Sequence, residues 1–486
     1  MDQCASILLA FPSQDGPIDD ETYHRTALVH VQRITKLVRE RAKDLVAYNT
    51  ELFNVVDPAV NSLSYLAILH ALLFPSLASK VPQNLILEKL VTFTMVFDGR
   101  QCRYGGVLLL DIMEAVGNGR LLPPSIAVEC LATAILNLDP SGAILTSSHI
   151  LLAKLAYDTD NIPQALPVIE KNIVYYPGMA NQHDALYLCD LEAPPPTYIS
   201  KTTGLTTLLK SSMVLEYDFV CGLMYCARRE WRKARKAFER VVTYPTKDGG
   251  CSKIMVEAFK KWILVSLLSE GKHSIKPAPY TSEATVKTFG ILGRSYVSFA
   301  TAFATDDVEQ LKQEARNNAQ LWVEDGNVGL VEEVMASYQK WRVLSLRDIY
   351  TKISIAEIRQ QTKSAETGAA LDKDEDVEAL ITNMIIANML QGVIEKNDDG
   401  TKFLLFLPPD AITEQEMAAE MRRQAAGLRN LKKIVDATGQ RLEFSKEYTK
   451  WSIKEAKRDK SSEAQDPTLA FEEQIDEDLM AGLAKA

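Results

Sequence analysis

WRVLSLRDIYTKISIAEIRQQT over residues 341–362 and DVEALITNMIIANMLQGVIEKNDDGTKFLLFL over 376–407, joined by a spacer, decide the fold. Ser354-x-x-Glu357 has the form of a capping box, in which a serine hydroxyl accepts from a backbone N–H of the first helical turn. It opens a short helix carrying Ile355 and Ile358. Val377, Leu380, Ile381, Met384, Ile385 and Leu390 recur at helical spacing and predict a second helix. Val393–Lys396 and Lys402–Leu407 flank the turn sequence Asn397-Asp398-Asp399-Gly400 and predict a hairpin. Helix, helix, hairpin is the order of a winged helix.

Upstream of this stretch, helix follows helix. Asp19 or Asp20 can cap a first helix whose apolar stripe is Tyr23, Ala27, Val31, Ile34 and Val38. Pro58 starts a more apolar helix closed by Pro75. Others are predicted over 85–97, 107–116 and 125–136, separated by Asp98-Gly99, Gly117-Asn118-Gly119 and Asp139-Pro140. A period near 34 residues then emerges. Framed from Leu215, Cys221, Gly222, Tyr225, Ala234 and Phe238 fall where a tetratricopeptide repeat wants small and aromatic residues, with Pro245 near the end. Thr146 opens a weaker copy, with Ala153, Ala156, Ala165 and Ile169 in the matching places and Pro177 near its end. The frames are almost two periods apart, so a degenerate unit is expected between them, joined through the stiff surface segment Glu192–Pro196. Ordinary helical hairpins without a true repeat are the alternative; both predict stacked helix pairs. Further helices are predicted over 254–268, ended by Gly271, then over 286–304, 308–321 and 329–344.

Downstream of Pro408-Pro409, Thr413-x-x-Glu416 is a second capping box. It starts a helix with Met417, Met421, Ala425, Leu428, Leu431 and Val435 on one side. A basic segment follows (Arg441, Lys446, Lys450, Lys454, Lys457, Arg458), bearing Leu442, Tyr448 and Trp451. The acidic last residues are expected to be mobile, with Phe471, Ile475 and Leu479 spaced for a short amphipathic helix. The fold class is therefore mostly α: a tetratricopeptide-like array capped by a winged helix, then C-terminal helices. The expected divisions are 1–214 for N-terminal repeats, 215–340 for repeats leading into the cap, 341–409 for the winged helix, 410–460 for C-terminal helices and 461–486 for the tail.

The bulk properties exclude several classes. The chain has 486 residues and a net charge of -10, which opposes non-specific nucleic-acid binding, since phosphate contacts need clustered cations. No apolar run approaches the ~18 residues of a membrane span. Asp2 precedes the apolar patch Ile7–Phe11 where a signal peptide would be basic, so a cytosolic or nuclear protein is expected. The seven scattered cysteines contain no C-x-x-C and read as buried thiols. The six histidines form no H-x-H or H-E-x-x-H, and no P-loop, dinucleotide fingerprint or nucleophile elbow is present. No catalytic residue, cofactor or metal is expected.

Winged helices often read DNA, but the second helix begins Asp372-Lys373-Asp374-Glu375-Asp376 and carries no Lys or Arg from Asp374 to Gln391. Anions at a helix N-terminus suit its dipole and repel phosphate. This helix is expected to be buried against protein. An assembly module fits better. The strand Phe403, Leu404, Leu405, Phe406 is apolar on both faces and is expected at an open edge, a liability unless another chain covers it. The stripe Met417, Met421, Leu428, Leu431, Val435 is spaced for a bundle with other helices. These nine residues are the candidate protein-interaction site; packing of both features within the chain is the alternative.

These stretches resemble the PCI family, the scaffold subunits shared by the proteasome lid, the COP-nine signalosome and an initiation-factor complex. The resemblance spans roughly residues 50–450 and is strongest at YDFVCGLMYCARREWRKARKAFERVVTYPT (217–246) and SKIMVEAFKKWILVSLLSEGK (252–272). Asn327-Val328-Gly329-Leu330 and the winged helix also carry it. The spacer Lys363–Lys373 and the acidic tail depart from it. The resemblance implies a right-handed helical array whose winged helix stacks edge to edge with those of other PCI subunits and whose C-terminal helix joins a common bundle. It implies a non-catalytic scaffold in the nucleus and cytoplasm, seated between subunits one and eight of the signalosome. That complex removes the ubiquitin-like modifier Nedd8 from cullins of cullin-RING ubiquitin ligases, with its zinc isopeptidase on a different subunit. A proteasome-lid scaffold is the second implication; a nucleic-acid-binding winged helix is the third.

Overall fold

The computed structural model describes residues 2–12, 19–74, 81–176, 185–246, 250–272, 281–397, 400–408, 414–443 and 448–454. Pro75, Pro177, Thr413 and the acidic tail lie outside these residues. Described residues up to 408 form one compact unit, and 414–454 belong to a second. Among the described residues no helix is long and apolar enough to cross a membrane.

The first layers are α1 (Asp2–Leu8), α2 (Asp20–Glu40), α3 (Ala42–Ala47), α4 (Asn49–Val55), α5 (Ser62–Leu73), α6 (Gln83–Val96), α7 (Gly99–Cys102), α8 (Gly106–Gly117) and α9 (Pro124–Leu138). The Asp19 carboxylate accepts from the Thr22 N–H at 3.1 Å and caps α2, satisfying a donor that the helix leaves open. The buried stripe of α2 is Tyr23, Ala27, His30, Ile34 and Leu37, rotated from the expected one; Val31 and Val38 are only half-buried. His30 takes the inner position because its Nε2 meets Ser64 Oγ on α5 at 2.8 Å. Helix α5 buries nine of its twelve residues, which places it between neighbours on several sides.

Next come α10 (Ser147–Asp158) and α11 (Ile162–Ile169), then α12 (Pro195–Tyr198), then α13 (Ser211–Ala227) and α14 (Trp231–Val242). The two framed repeats are the pairs α10–α11 and α13–α14. Gly222 is required where the second pair crosses: a Cβ there would stand 2.6 Å from the Phe238 ring. Among the described residues no degenerate unit separates the pairs. Helix α13 packs directly on α10, and 185–210 holds only the single turn α12. That segment instead folds back onto the first layers. Arg103 donates to the carbonyls of Leu188 (2.9 Å) and Asp190 (2.6 Å), and Arg100 donates to that of Cys189 (2.8 Å). Arg103 also lies 3.4 Å over the Tyr198 ring. Glu192 and Pro194 are exposed, so the proline stretch runs along the surface, and it tucks in at its end where Pro196 and Tyr198 are buried.

Helices α15 (Lys253–Glu270), α16 (Glu283–Leu292), α17 (Arg294–Ala304), α18 (Val308–Asn317), α19 (Ala319–Glu324) and α20 (Val328–Ser345) complete the array. Helix α15 is buried almost all round and carries Lys260 and Lys261 inside. Buried charge must be paired. Lys260 Nζ reaches Asp325 at 2.7 Å and Glu257 at 3.0 Å, and Lys261 donates to the Asn327 side chain. Asn327 donates to Tyr296 Oη, which donates to Asp325, each at 2.7 Å. This network pins the turn between α19 and α20. Gly271 ends α15 at φ 69°, directly under Trp341 of α20: a Cβ there would be 2.3 Å from the indole.

The winged helix follows as β1 (Lys352–Ser354), α21 (Ile355–Gln361), α22 (Asp374–Ile386), β2 (Gly392–Lys396) and β3 (Lys402–Phe406). Helix α20 joins it to the array: Val331, Val334 and Tyr338 sit in the array core, while Val343 sits in the winged-helix core. The 363–373 spacer is folded too. Ala365 is buried in the array core, and Lys312 of α18 donates to the Thr367 carbonyl at 3.1 Å. The second unit contains α23 (Glu414–Glu443) and a helical stretch over 448–454.

Candidate interaction surfaces

Strand β3 lies in the middle of its sheet. The order is β1-β3-β2, all antiparallel, with Ile353↔Leu404 on one side and Ile394↔Leu404 on the other. The expectation of an open β3 edge is therefore corrected: β3 hydrogen-bonds to a strand on each side, and the edges are β1 and β2. The three residues of β1 are too few to show alternation, so nothing in the sequence marked the strand that covers β3.

Successive side chains of a strand point to opposite faces, and this divides the four candidate strand residues. Leu404 and Phe406 face inward with Ile353 and join Ile355, Ile358, Val377 and Ile381 in the winged-helix core. They hold the fold and offer nothing to a partner. Phe403 and Leu405 share the outer face with Val393, Lys352 and Glu395. Both are half-buried and Val393 is exposed. Lys352 Nζ bridges to Glu395 at 3.0 Å across this face and lies 5.0 Å from the Phe403 ring centre. The outer face is thus an apolar strip crossed by one ion pair.

Ser354 Oγ accepts from the Glu357 N–H at 3.2 Å and starts α21 as its sequence foretold. Helix α22 buries Val377, Ile381 and Met384, and ends where Asn388 takes φ 53°. Leu390 lies past that end but enters the same core. The opposite face of α22 is open: Ala379, Thr382 and Asn383 are exposed, and Ile386 is 76% exposed. With Asp374, Glu375 and Asp376 in the first turn and no Lys or Arg, this face presents no cation to a phosphate.

Helix α23 spans 30 residues. Met417, Met421, Leu428, Leu431 and Val435 are all exposed, Leu428 by 65%. Met421, Leu428 and Val435 are seven apart, as are Met417, Gln424 and Leu431. This is the spacing found in coiled-coil seams, where each knob inserts between side chains of a second helix. On its flank Glu420 accepts from Arg423 (2.8 Å) and Gln424 (3.0 Å), which holds its carboxyl below the ordinary range, the Gln424 bond being the larger cause. Beyond α23, Tyr448, Trp451 and Ile453 are exposed as well. Among the described residues no group of three or more His, Cys, Asp or Glu side chains could hold a metal ion.

Residues 28–285 match the family model described as COP9 signalosome complex subunit 3, N-terminal helical repeats. The chain is 42% identical over 499 residues to a COP9 signalosome complex subunit 3 from Neurospora crassa, covering 99% of each chain. The chain belongs to the COP9 signalosome subunit 3 family. A member from Emericella nidulans is 27% identical over 477 residues (92% of this chain, 95% of that one). One from Dictyostelium discoideum is 24% identical over 241 residues, about half of each chain. Within this subunit 3 family member, the matched repeats form the array that carries the winged helix, and the two exposed apolar surfaces lie downstream of them.

Proposed function

We propose that this chain is a non-catalytic scaffold subunit of a COP9 signalosome. It joins its hetero-oligomeric complex through the outer face of the winged helix (Phe403, Leu405, Val393) and through the α23 seam (Met417, Met421, Leu428, Leu431, Val435). The observation that carries this reading is the exposed heptad stripe of α23: five large apolar side chains on one line of a helix are stable in water only when another helix covers them. The full-length likeness to proteins named as signalosome subunit 3 supports the identity of the complex over a proteasome lid. In this reading the neighbours are signalosome subunits one and eight, the assembled complex removes Nedd8 from cullins, and the subunit works in both nucleus and cytoplasm.

The purified chain is expected to hydrolyse no Nedd8 conjugate and to bind no stoichiometric zinc, read by gel assay and by elemental analysis. Cleavage by the chain alone, or one zinc per chain, overturns the scaffold reading.

A further inference from the structure

Between the α10–α11 and α13–α14 hairpins lies a cavity of about 370 Å³ that neither repeat fills. Four cations line it, Lys171, Lys233, Lys236 and Arg240, against two carboxylates, Glu170 and Asp218. In a chain of net charge -10 this is a local reversal of sign. The carboxylates are already engaged. Asp218 binds Arg240 Nε at 2.7 Å and Nη2 at 2.6 Å, and Glu170 binds Lys233 at 2.6 Å. Glu230, just outside, also holds Lys233 at 2.6 Å and is itself held by Arg228 at 2.7 Å. Lys171 meets only the Pro140 carbonyl, at 3.4 Å, and Lys236 has no carboxylate partner among the described residues. The cavity therefore carries an excess of two positive charges on two accessible ammonium groups.

Tyr217 is buried beneath this lining, with its hydroxyl beside the Cys221 thiol and closed off from the open space.

We infer that this cavity binds a phosphoryl group carried on a serine or threonine of a partner peptide. A phosphoryl group brings a charge of about -1.5 to -2 and three acceptor oxygens, which suit the two unpaired lysines; a side-chain carboxylate brings half that charge. A bare phosphate fills only part of the volume. The remaining wall is apolar, formed by Ile169, Ile173 and the Tyr225 ring, and takes the flanking residues. The opening lies between neighbouring hairpins of a repeat array, a surface such arrays use to hold extended chains. The inference stands apart from the signalosome reading, since none of these residues belongs to the winged helix or to α23.

The test is fluorescence anisotropy with the full-length chain and an oriented peptide library carrying a central phosphoserine. Matched libraries carry serine or glutamate, and inorganic phosphate serves as competitor. Phosphoserine peptides are expected to bind at least tenfold more tightly than serine or glutamate peptides. The double change Lys171→Glu with Lys236→Glu abolishes that preference with an unchanged melting curve. Equal binding of the serine library, equal binding of the glutamate library, or undiminished binding by the lysine variant overturns the inference. Inorganic phosphate binding as tightly as the phosphopeptides overturns its peptide part.

Discussion

Strand β3 and helix α23 carry the two apolar surfaces read from the sequence after residue 400, and they resolve in opposite ways. Strand β3 is hydrogen-bonded on both sides and gives Leu404 and Phe406 to a closed core. Helix α23 leaves its whole stripe in solvent. Period decides the difference. A strand alternates, so an apolar run on a central strand must serve two faces at once, and half of it belongs to its own domain. A helix with a 3.5-residue repeat concentrates its apolar groups on one line, and that line is useful only to another helix. Apolar content alone does not mark an interface.

The comparison can be broken at several strengths. Leu404→Asp places a charge with no partner in the winged-helix core and is expected to cost about 4 kcal/mol or more. Limited proteolysis should cut within 341–407 while the repeats survive, and a protected winged helix would show that Leu404 is not a core residue. On the outer face, Phe403→Asp with Leu405→Asp is expected to change urea stability by no more than about 1 kcal/mol yet weaken capture by a neighbouring subunit at least tenfold. Loss of fold in this variant would erase the distinction between the two faces.

Acid sharpens the contrast between array and helix. His149 Nδ1 accepts from the Thr146 N–H at 3.2 Å at the start of α10, so its ring must be neutral, and burial lowers its pKa to about 4. Burial lowers His30 to about 4 as well, Arg33 adding to the shift. Both folded values lie below the unfolded value of about 6.5, so this stability is present above pH 6.5 and is lost as pH falls towards 4. Between pH 7 and pH 5 the apparent Tm of the array is expected to fall by about 5 °C in a melting scan. The local bonds of Glu420 on α23 titrate only below the ordinary carboxyl range, so they persist at pH 5. A flat Tm over that interval would contradict the buried neutral histidines.

Much of this architecture was legible in the residues. Helical periodicity located the longer helices between α5 and α20 but not the single turns α7 and α12, and the small-residue positions Ala153, Ala156, Cys221, Gly222 and Ala234 located the repeat pairs, because close helix approach demands them. Asn397–Gly400 located the hairpin. What escaped were features set by distant partners. The centre of the sheet could not be told from its edge because β1 contributes only Lys352–Ser354. The α2 stripe turned towards His30 because Ser64, 34 residues away, supplies its partner. The spacing of the repeats implied a unit that residues 185–210 do not form, since those residues are held by Arg100 and Arg103 instead. Nothing in the sequence marks Lys260 and Lys261 as buried, and it is Asp325 and Asn327 that make their burial possible.

The claim that matters most is that α23 is built for other chains. Leu428→Asp with Leu431→Asp alters only exposed positions. Co-purification of this variant with subunits one and eight, beside a melting curve of the isolated chain, tests it directly. The account predicts an unchanged melting curve and at least tenfold less of the variant recovered in the assembled complex. Recovery equal to the unmodified chain would contradict it.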